Sequence, residues 1–214
     1  MPVVLPTFQV ETAMLAAGSS CIIAIDEVGR GALAGPVTVG VAVVDARTGV
    51  MPEGLRDSKL LSEPRREAMA PLASSWVARF AVGEATAAEI DEIGIVASLG
   101  VAGRRAISDL LSAGADVSGA TVLLDGSHDW LTPALLWPLP VRVRPKADRD
   151  CAAVAAASVI AKVHRDTVMR GWHEQYPHYE WAGNKGYGSA THLAAIAEHG
   201  PSDLHRRTWL RAPA

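Results

Sequence analysis

A short apolar segment that ends on two acids constrains the fold more than any other part of this chain. Residues 22–31 are Ile-Ile-Ala-Ile-Asp-Glu-Val-Gly-Arg-Gly. An apolar run rich in β-branched residues predicts a buried strand, and the glycines predict a bend directly after it. Asp26 and Glu27 repel each other beside that bend unless a cation lies between them. The segment therefore predicts a strand with a reaction centre at its end, with a solvated acidic turn as the simpler alternative.

The same glycines also fit the G-x-G-x-x-G/A fingerprint of dinucleotide-binding folds, as Gly29-Arg30-Gly31-Ala32-Leu33-Ala34. That fingerprint opens a helix, whereas residues 37–44 alternate as Val-Thr-Val-Gly-Val-Ala-Val-Val and predict a second strand. The two acids would also face a pyrophosphate with like charge. A dinucleotide-dependent oxidoreductase is therefore the least favoured function.

The remaining patterns alternate between strands and helices, which is typical of an α/β domain with a mixed sheet. Strands are predicted at 21–26, 37–44, 76–84, 121–125 and 141–144. Helices are predicted at 10–18, after Ser62-Glu63-Pro64, at 86–111, at 151–172 and at 190–199, the last closed by Gly200-Pro201. The length of 214 residues suits a single domain over 1–214.

Charge is unevenly distributed along the chain. The net charge is −3, yet residues 1–136 hold 9 Lys and Arg against 16 Asp and Glu, and residues 137–214 hold 11 against 7. A basic C-terminal part beside an acidic site suits a protein that binds a polyanion together with divalent cations. The charge distribution permits a nucleic-acid partner without requiring one.

Cysteine and histidine usage argues against two other kinds of site. The two cysteines, Cys21 and Cys151, are too few for a disulfide framework or a cysteine zinc site. His173, His178 and His192 fit no closed zinc site, and we expect them at the surface or at helix ends. No segment has the pattern of a secretory signal or the apolar length of a membrane span, so we expect a cytoplasmic protein.

Carboxylates recur where predicted strands end. Asp26 and Asp125 each follow an apolar strand, and neighbouring strands would bring them to one edge of the sheet. Asp148 precedes the Ala-rich helix, where an acid is more often a helix cap than a ligand. With Glu27 these acids offer four hard oxygen donors of the kind that Mg²⁺ and Mn²⁺ prefer. Two such ions about 4 Å apart can activate water against a phosphodiester.

Taken in order, these motifs resemble the type 2 ribonuclease H family, ribonuclease HII. The resemblance spans about residues 21–209. Its matching segments are 26–31 (DEVGRG) with 33–36 (LAGP), 57–62 (DSKLLS), 124–126 (LDG), 146–148 (KAD), 155–166 (AAASVIAKVHRD), 185–189 (KGYGS), and 200–201 (GP) with 205–206 (HR).

The resemblance implies an RNase H-like fold, a mixed β-sheet flanked by helices with a C-terminal helical segment at about 172–214. It implies an endonuclease that cuts the RNA strand of RNA–DNA hybrids and incises 5′ of single ribonucleotides in duplex DNA, as in ribonucleotide excision repair. Cleavage would use two Mg²⁺ or Mn²⁺ ions and leave 3′-hydroxyl and 5′-phosphate ends. We expect a monomer whose partners are RNA–DNA hybrids and ribonucleotide-containing DNA. The alternative is a hybrid-binding module without catalysis.

The resemblance also assigns the site residues. The metal ligands fall on Asp26, Glu27, Asp125 and Asp148, with Asp26 between the two ions and Asp150 as a rival for the last place. The 2′-hydroxyl would be recognised by Gly29, Arg30 and Gly31, and the adjacent deoxyribose would pack on Tyr187. The phosphate contacts would come from Lys59, Lys146, Arg165 and Lys185.

Overall fold

A computed structural model describes residues 5–210, and within them one mixed five-stranded sheet organises the fold. β1 pairs antiparallel with β2 and parallel with β4, while the outer pairs are antiparallel β2–β3 and parallel β4–β5. The predicted α/β class is confirmed. The sheet has the order β3-β2-β1-β4-β5, with strands β1 (Cys21–Val28), β2 (Val37–Asp45), β3 (Arg79–Ala85), β4 (Thr121–Asp125) and β5 (Val141–Arg144).

Helices cover both faces of this sheet. No helix among the described residues combines the length and the apolar character needed to cross a membrane. The helices are α1 (Gln9–Ala16), α2 (Glu63–Trp76), α3 (Ala87–Ile93), α4 (Ile95–Ser112), α5 (Ala147–Asp150), α6 (Ala152–Gln175), α7 (Trp181–Asn184) and α8 (Ala190–His199).

Some predicted element bounds differ from the structure. The strand predicted at 76–84 begins only at Arg79, because α2 runs to Trp76. The helix predicted over 86–111 is broken at Gly94, whose φ of +78° places it outside the helical region. The C-terminal segment contains α7 and α8, and its last residues, 211–214, lie outside the described part of the chain.

β1 lies at the centre of the sheet and divides the core into two layers. Ile22 and Ala24 pack in the layer formed with the Ala-rich helix α6, whereas Ile23 and Ile25 pack in the layer formed with α4. This alternation follows from the two-residue period of a strand. Asp26 continues the row of Ile22 and Ala24, so its side chain lies on the α6 side of the sheet.

α6 approaches the sheet closely beside Asp26. Gly40 of β2 is the cross-strand partner of Asp26, and a Cβ atom at Gly40 would overlap the carbonyl oxygen of Ala157 on α6. Small residues on the first turns of the helix complete this contact. The close packing brings the helix over the end of β1 and buries the carboxylate there.

Candidate active site

Three carboxylates meet at the ends of two neighbouring parallel strands. Asp26 lies near the end of β1 and Asp125 ends β4, with Ile25 and Leu124 paired just before them. Asp148 joins them from α5, which follows β5 directly. One carboxylate oxygen from each of the three residues lies within 4.8 Å of the other two. The topology therefore brings together three acids that are far apart in the sequence.

Asp26 is the most deeply buried acid of this cluster. It is 1% exposed, and its buried Oδ2 has no hydrogen-bond partner among residues 5–210. Burial, and then the charge of Glu27, raise the pKa of the Asp26 carboxyl well above its ordinary value. A buried oxygen with a free lone pair and an unneutralised charge is costly unless a cation approaches it.

Glu27 follows Asp26 but lies outside the group of three. Its Oε1 accepts a hydrogen bond from Arg30 Nη1 at 3.5 Å, and its buried Oε2 has no partner within the described part of the chain. Burial raises the pKa of the Glu27 carboxyl, although Arg30 opposes the shift. Glu27 therefore offers a second unpartnered oxygen beside the cluster.

Asp125 and Asp148 are held together by local hydrogen bonds. The backbone N–H of Asp148 donates to Asp125 Oδ1 at 3.3 Å, and Lys59 Nζ donates to Asp148 Oδ2 at 3.0 Å. Asp57 accepts from the backbone N–H of Lys59 at 2.9 Å and so begins the short 3₁₀ turn that presents this lysine. Burial, and then the charge of Asp148, raise the pKa of the Asp125 carboxyl.

Asp150 was the rival for the fourth ligand position, and the structure places it elsewhere. Its Oδ2 accepts from Arg144 Nη2 at 3.0 Å, and the carboxylate cluster contains Asp148 instead. α5 accounts for the difference, because residues two positions apart in a helix are separated by about 200° around its axis, so the two acids lie on different sides.

This donor set fits Mg²⁺ or Mn²⁺. Every candidate ligand is a carboxylate oxygen, the type that these hard cations prefer. The unpartnered buried oxygens of Asp26 and Glu27 are the strongest sign that the site is built for positive charge. Asp26, Asp125 and Asp148 are the acids whose oxygens lie close enough together to hold such an ion.

A cavity of about 180 Å³ opens beside the acids. Tyr187 is 38% exposed at its rim, and Gly29, with φ of +82°, turns the backbone along its wall. Five of the predicted substrate contacts thus share one cavity with the first two acids. Its polar and glycine lining is Asp26, Glu27, Gly29, Arg30, Gly31, Ser58, Lys59, Lys162 and Tyr187.

Two residues of this cavity were not among the predicted contacts. Ser58 donates to or accepts from Ser158 at 2.9 Å, and Lys162 donates to Asp166 at 2.6 Å. Ser158, Lys162 and Asp166 are spaced by four residues along α6 and therefore share one face of the helix. That spacing is the sequence signal that could have identified Lys162.

The prediction that Arg165 contacts a phosphate is corrected by the structure. Arg165 is fully buried, and its guanidinium donates to the backbone carbonyls of Ala34, Pro36 and Lys185. A surface contact is therefore not open to this side chain.

Lys185 and Lys146 also lie outside the cavity. Lys185 is 6% exposed, and its Nζ forms an ion pair with Glu63 at 3.0 Å and donates to the carbonyl of Ala182. The predicted phosphate contact at Lys185 is thus also corrected, because its charge is already neutralised. Lys146 is exposed just before α5, in the left-handed conformation with φ of +62°.

His192 lies at a helix end, one of its two predicted positions, but it is buried and not at the surface. It is fully buried in the first turn of α8, where its Nε2 lies 3.0 Å from Trp181 Nε1 and 3.1 Å from His205 Nε2. Its Nδ1 lies 2.9 Å from the carbonyl oxygen of Tyr187. The tertiary packing of the C-terminal segment buries a residue that has no apolar signature in the sequence.

A larger open groove of about 560 Å³ lies at the opposite ends of the strands, near Gly18, Thr121 and Trp137. Of the described residues that line it, none is acidic and Arg142 is charged. The candidate catalytic residues therefore lie at the smaller cavity.

Comparison with known proteins identifies the family. The sequence profile of the ribonuclease HII family matches residues 23–212. The chain belongs to the ribonuclease HII family. The resemblance predicted from the motifs is thereby confirmed, and membership makes the chain a ribonuclease of the H class.

Individual relatives agree with this family assignment. The ribonuclease HII of Streptomyces griseus is 45% identical over 213 residues, which cover 98% of this chain and 86% of the relative. The crystal structure of the ribonuclease H2 from Pyrococcus horikoshii OT3 superposes with a TM-score of 0.66 at 25% identity, over 88% of this chain and 93% of that one.

A more distant structure shares the fold. The crystal structure of Bst-RNase HIII in complex with Mn²⁺ superposes with a TM-score of 0.68 at 22% identity, over 89% of this chain and 66% of that one. Together with the P. horikoshii enzyme it confirms the RNase H-like fold of this ribonuclease HII family member.

Proposed function

We propose that this ribonuclease HII family member cuts the RNA strand of RNA–DNA hybrids and incises DNA duplexes on the 5′ side of a single ribonucleotide. The observation that carries the proposal is the cluster of Asp26, Asp125 and Asp148 beside a cavity with an exposed tyrosine. Hydrolysis would transfer the oxygen of water to phosphorus and release the upstream O3′ with a proton. The products would be a 3′-hydroxyl and a 5′-phosphate.

We further propose that Asp26, Glu27, Asp125 and Asp148 would hold two divalent ions, Mg²⁺ or Mn²⁺. When bound, such ions lower the pKa of water and stabilise the leaving oxygen. The buried, unpartnered oxygens of Asp26 and Glu27 support this assignment. Lys59 neutralises part of the charge of Asp148 through its 3.0 Å contact.

Recognition of the ribonucleotide would fall to the other wall of the cavity. At Gly31 nothing lies within 4 Å of the position that a Cβ would take, so a sugar could approach this part of the backbone closely. The 2′-hydroxyl distinguishes RNA from DNA at a given site, and Gly29, Arg30 and Gly31, which line the cavity, would recognise it. Tyr187 would pack on the neighbouring deoxyribose, while Arg30, Lys59 and Lys146 would contact phosphates.

The decisive experiment uses three labelled substrates: a DNA duplex with one ribonucleotide, a long RNA–DNA hybrid and an all-DNA duplex. Each is incubated with Mg²⁺, Mn²⁺ or chelator. We expect metal-dependent nicking on the 5′ side of the ribonucleotide, cleavage of the hybrid and no cleavage of DNA. Asp125→Asn should bind the duplex but fail to cut it.

Different outcomes would separate the alternatives. Cleavage of the hybrid without incision at the single ribonucleotide would refute the proposed specificity. Binding without cleavage of either substrate, from folded protein with metal, would favour the hybrid-binding module. Tyr187→Phe should reduce incision at a lone ribonucleotide more than duplex binding, and equal losses would contradict its proposed role. A monomeric state and a cytoplasmic location remain predictions.

A further inference from the structure

Two buried arginines converge on the loop that lines the substrate side of the cavity. Arg165 lies on α6 and Arg206 follows α8, and both are fully buried. All hydrogen bonds that the structure gives the two guanidiniums within residues 5–210 end on backbone carbonyl oxygens. Buried charges are usually paired with an opposite charge because their desolvation is costly. Two buried guanidiniums that are bound only to backbone carbonyls therefore suggest a functional role.

Arg206 gathers the carbonyls of the glycine-containing turn. Its Nη2 donates to the carbonyl of Gly29 at 2.7 Å, and its Nη1 donates to that of Arg30 at 2.8 Å. Nε and Nη2 both donate to the carbonyl of Gly35, at 3.2 and 3.1 Å. The planar fork of a guanidinium suits such divergent acceptors, which a lysine ammonium cannot satisfy in the same geometry.

Arg165 joins this turn to the segment that carries the tyrosine. Its guanidinium donates to Ala34 at 3.0 Å and to Pro36 at 2.9 Å, both from the glycine turn. It also donates to the carbonyl of Lys185 at 2.8 Å. Its Cζ lies 5.5 Å from the ring centroid of Tyr187, within the range of a cation–π contact.

The arginines also determine which groups of the turn face the cavity. In a trans peptide unit the C=O and the N–H point in opposite directions. Because the carbonyls of Gly29 and Arg30 point inward to Arg206, the N–H groups of Arg30 and Gly31 point away from it. Those two donors belong to residues that line the cavity.

Close backbone packing leaves this arrangement little freedom. A Cβ atom at Gly29 would overlap the guanidinium of Arg165, and one at Gly186 would overlap the carbonyl oxygen of Ala34. The carbonyl of Gly186 accepts from the N–H groups of Leu33 and Ala34 at 2.8 and 3.1 Å. The turn formed by residues 29–36 and the segment 185–187, which carries Tyr187, are thus hydrogen-bonded to each other, and both guanidiniums are buried between them.

We propose that Arg165 and Arg206 are positioning residues that set the placement of the Gly29–Gly31 backbone relative to Tyr187, and thereby the preference for an isolated ribonucleotide. This inference rests on the function proposed above. Neither side chain touches the substrate. An isolated ribonucleotide requires the backbone donors and the tyrosine to engage neighbouring sugars together, whereas a long hybrid presents a ribose at every position.

The test uses Arg165→Lys and Arg206→Lys, which keep the positive charge but remove the planar guanidinium that donates to several carbonyls at once. The readout is kcat/KM on the single-ribonucleotide duplex divided by kcat/KM on a long hybrid. We expect this ratio to fall at least fivefold in each variant, with Mn²⁺ affinity within twofold of the unmodified chain. Arg105→Lys is the control for losing a guanidinium away from the cavity: Arg105 donates to the carbonyl of Glu84 at 2.7 Å and pairs with Glu89 at 2.6 Å.

A third variant covers the case in which the buried substitutions do not fold. Trp209 is half-buried, and its ring lies 4.9 Å from Arg206 Cζ. Trp209→Leu should lower the same ratio about twofold with the fold intact.

Two further outcomes would distinguish the failures. Equal loss of kcat on both substrates with an unchanged ratio in all folded variants would overturn the inference and leave a structural role. If the unmodified chain does not incise at single ribonucleotides, the proposed function fails, and the inference fails with it.

Discussion

Replacing Asp26 with asparagine should abolish cleavage and yet stabilise the metal-free protein. The substitution removes a carboxylate that is 1% exposed and has an unpartnered oxygen, while it keeps the shape of the side chain. The charge is needed to hold a cation but is unfavourable without one. Activity and stability are therefore expected to change in opposite directions.

The expected change in the free energy of unfolding follows from the distances between the acids. Unit charges 4.8 Å apart repel by about 0.9 kcal/mol in water and by about 3.5 kcal/mol at an effective dielectric constant of 20. Asp26 has two such neighbours, and Lys59 offsets part of the repulsion. We expect Asp26→Asn to raise the free energy of unfolding by about 1–3 kcal/mol in chelator. The midpoint temperature should rise by about 2–4 °C per kcal/mol for a chain of this size.

The pH dependence has a definite sign. The pKa of Asp26 is higher in the folded protein than its ordinary value, so ionisation favours the unfolded chain. The destabilisation is absent at low pH, begins above the unfolded-state pKa of about 3.9, and is complete above the folded-state pKa. The stability advantage of Asp26→Asn should therefore grow as the pH rises.

Urea unfolding at several pH values, in chelator and in excess Mn²⁺, measures both effects. At 100 times the dissociation constant, a ligand of the native state adds about 2.7 kcal/mol, and we expect most of this gain to be lost in the variant. Asp45→Asn is the control, because Asp45 is paired with Arg47 at 2.8 Å and its removal should give no stabilisation. The reasoning would be refuted by an Asp26→Asn protein that is less stable in chelator or that gains the full stabilisation from metal.

Three further substitutions test other parts of the structure. Gly40→Ala should destabilise the fold by about 1–3 kcal/mol through overlap with the backbone of Ala157, and unchanged urea unfolding would contradict this packing. Burial lowers the pKa of His205 to about 4, so the free energy of unfolding should fall by roughly 3 kcal/mol as the pH drops from 6.5 through that value. His205→Gln should weaken this dependence of the free energy of unfolding on pH. An unchanged dependence would show that other groups cause it. Lys59→Met should raise the Mn²⁺ affinity, measured by calorimetry, about fivefold. The reason is that the ion pair of Lys59 with Asp148, worth about 1 kcal/mol, must be broken or weakened when the metal binds. A loss of affinity would show that Lys59 orients the ligand instead.

The sequence by itself determined the central strand and the position of its acids. The apolar run before Asp26 and the one before Asp125 each specify a buried strand, and a strand-end acid has a local signature that does not depend on the rest of the fold. The turn at Gly29 is equally local, because its φ of +82° favours glycine. The ordered motifs also sufficed to predict the family.

Only the tertiary structure decided which polar residues face the cavity. Arg165, Lys185 and His192 have the side chains of surface residues, yet all three are buried by elements distant in sequence. Whether a guanidinium meets a phosphate or a carbonyl depends on what packs around it, and no local pattern of residues carries that information. The same holds for Asp148 over Asp150, because the short helix α5 and the parallel pairing of β1 with β4 together direct one acid, and not the other, into the cluster.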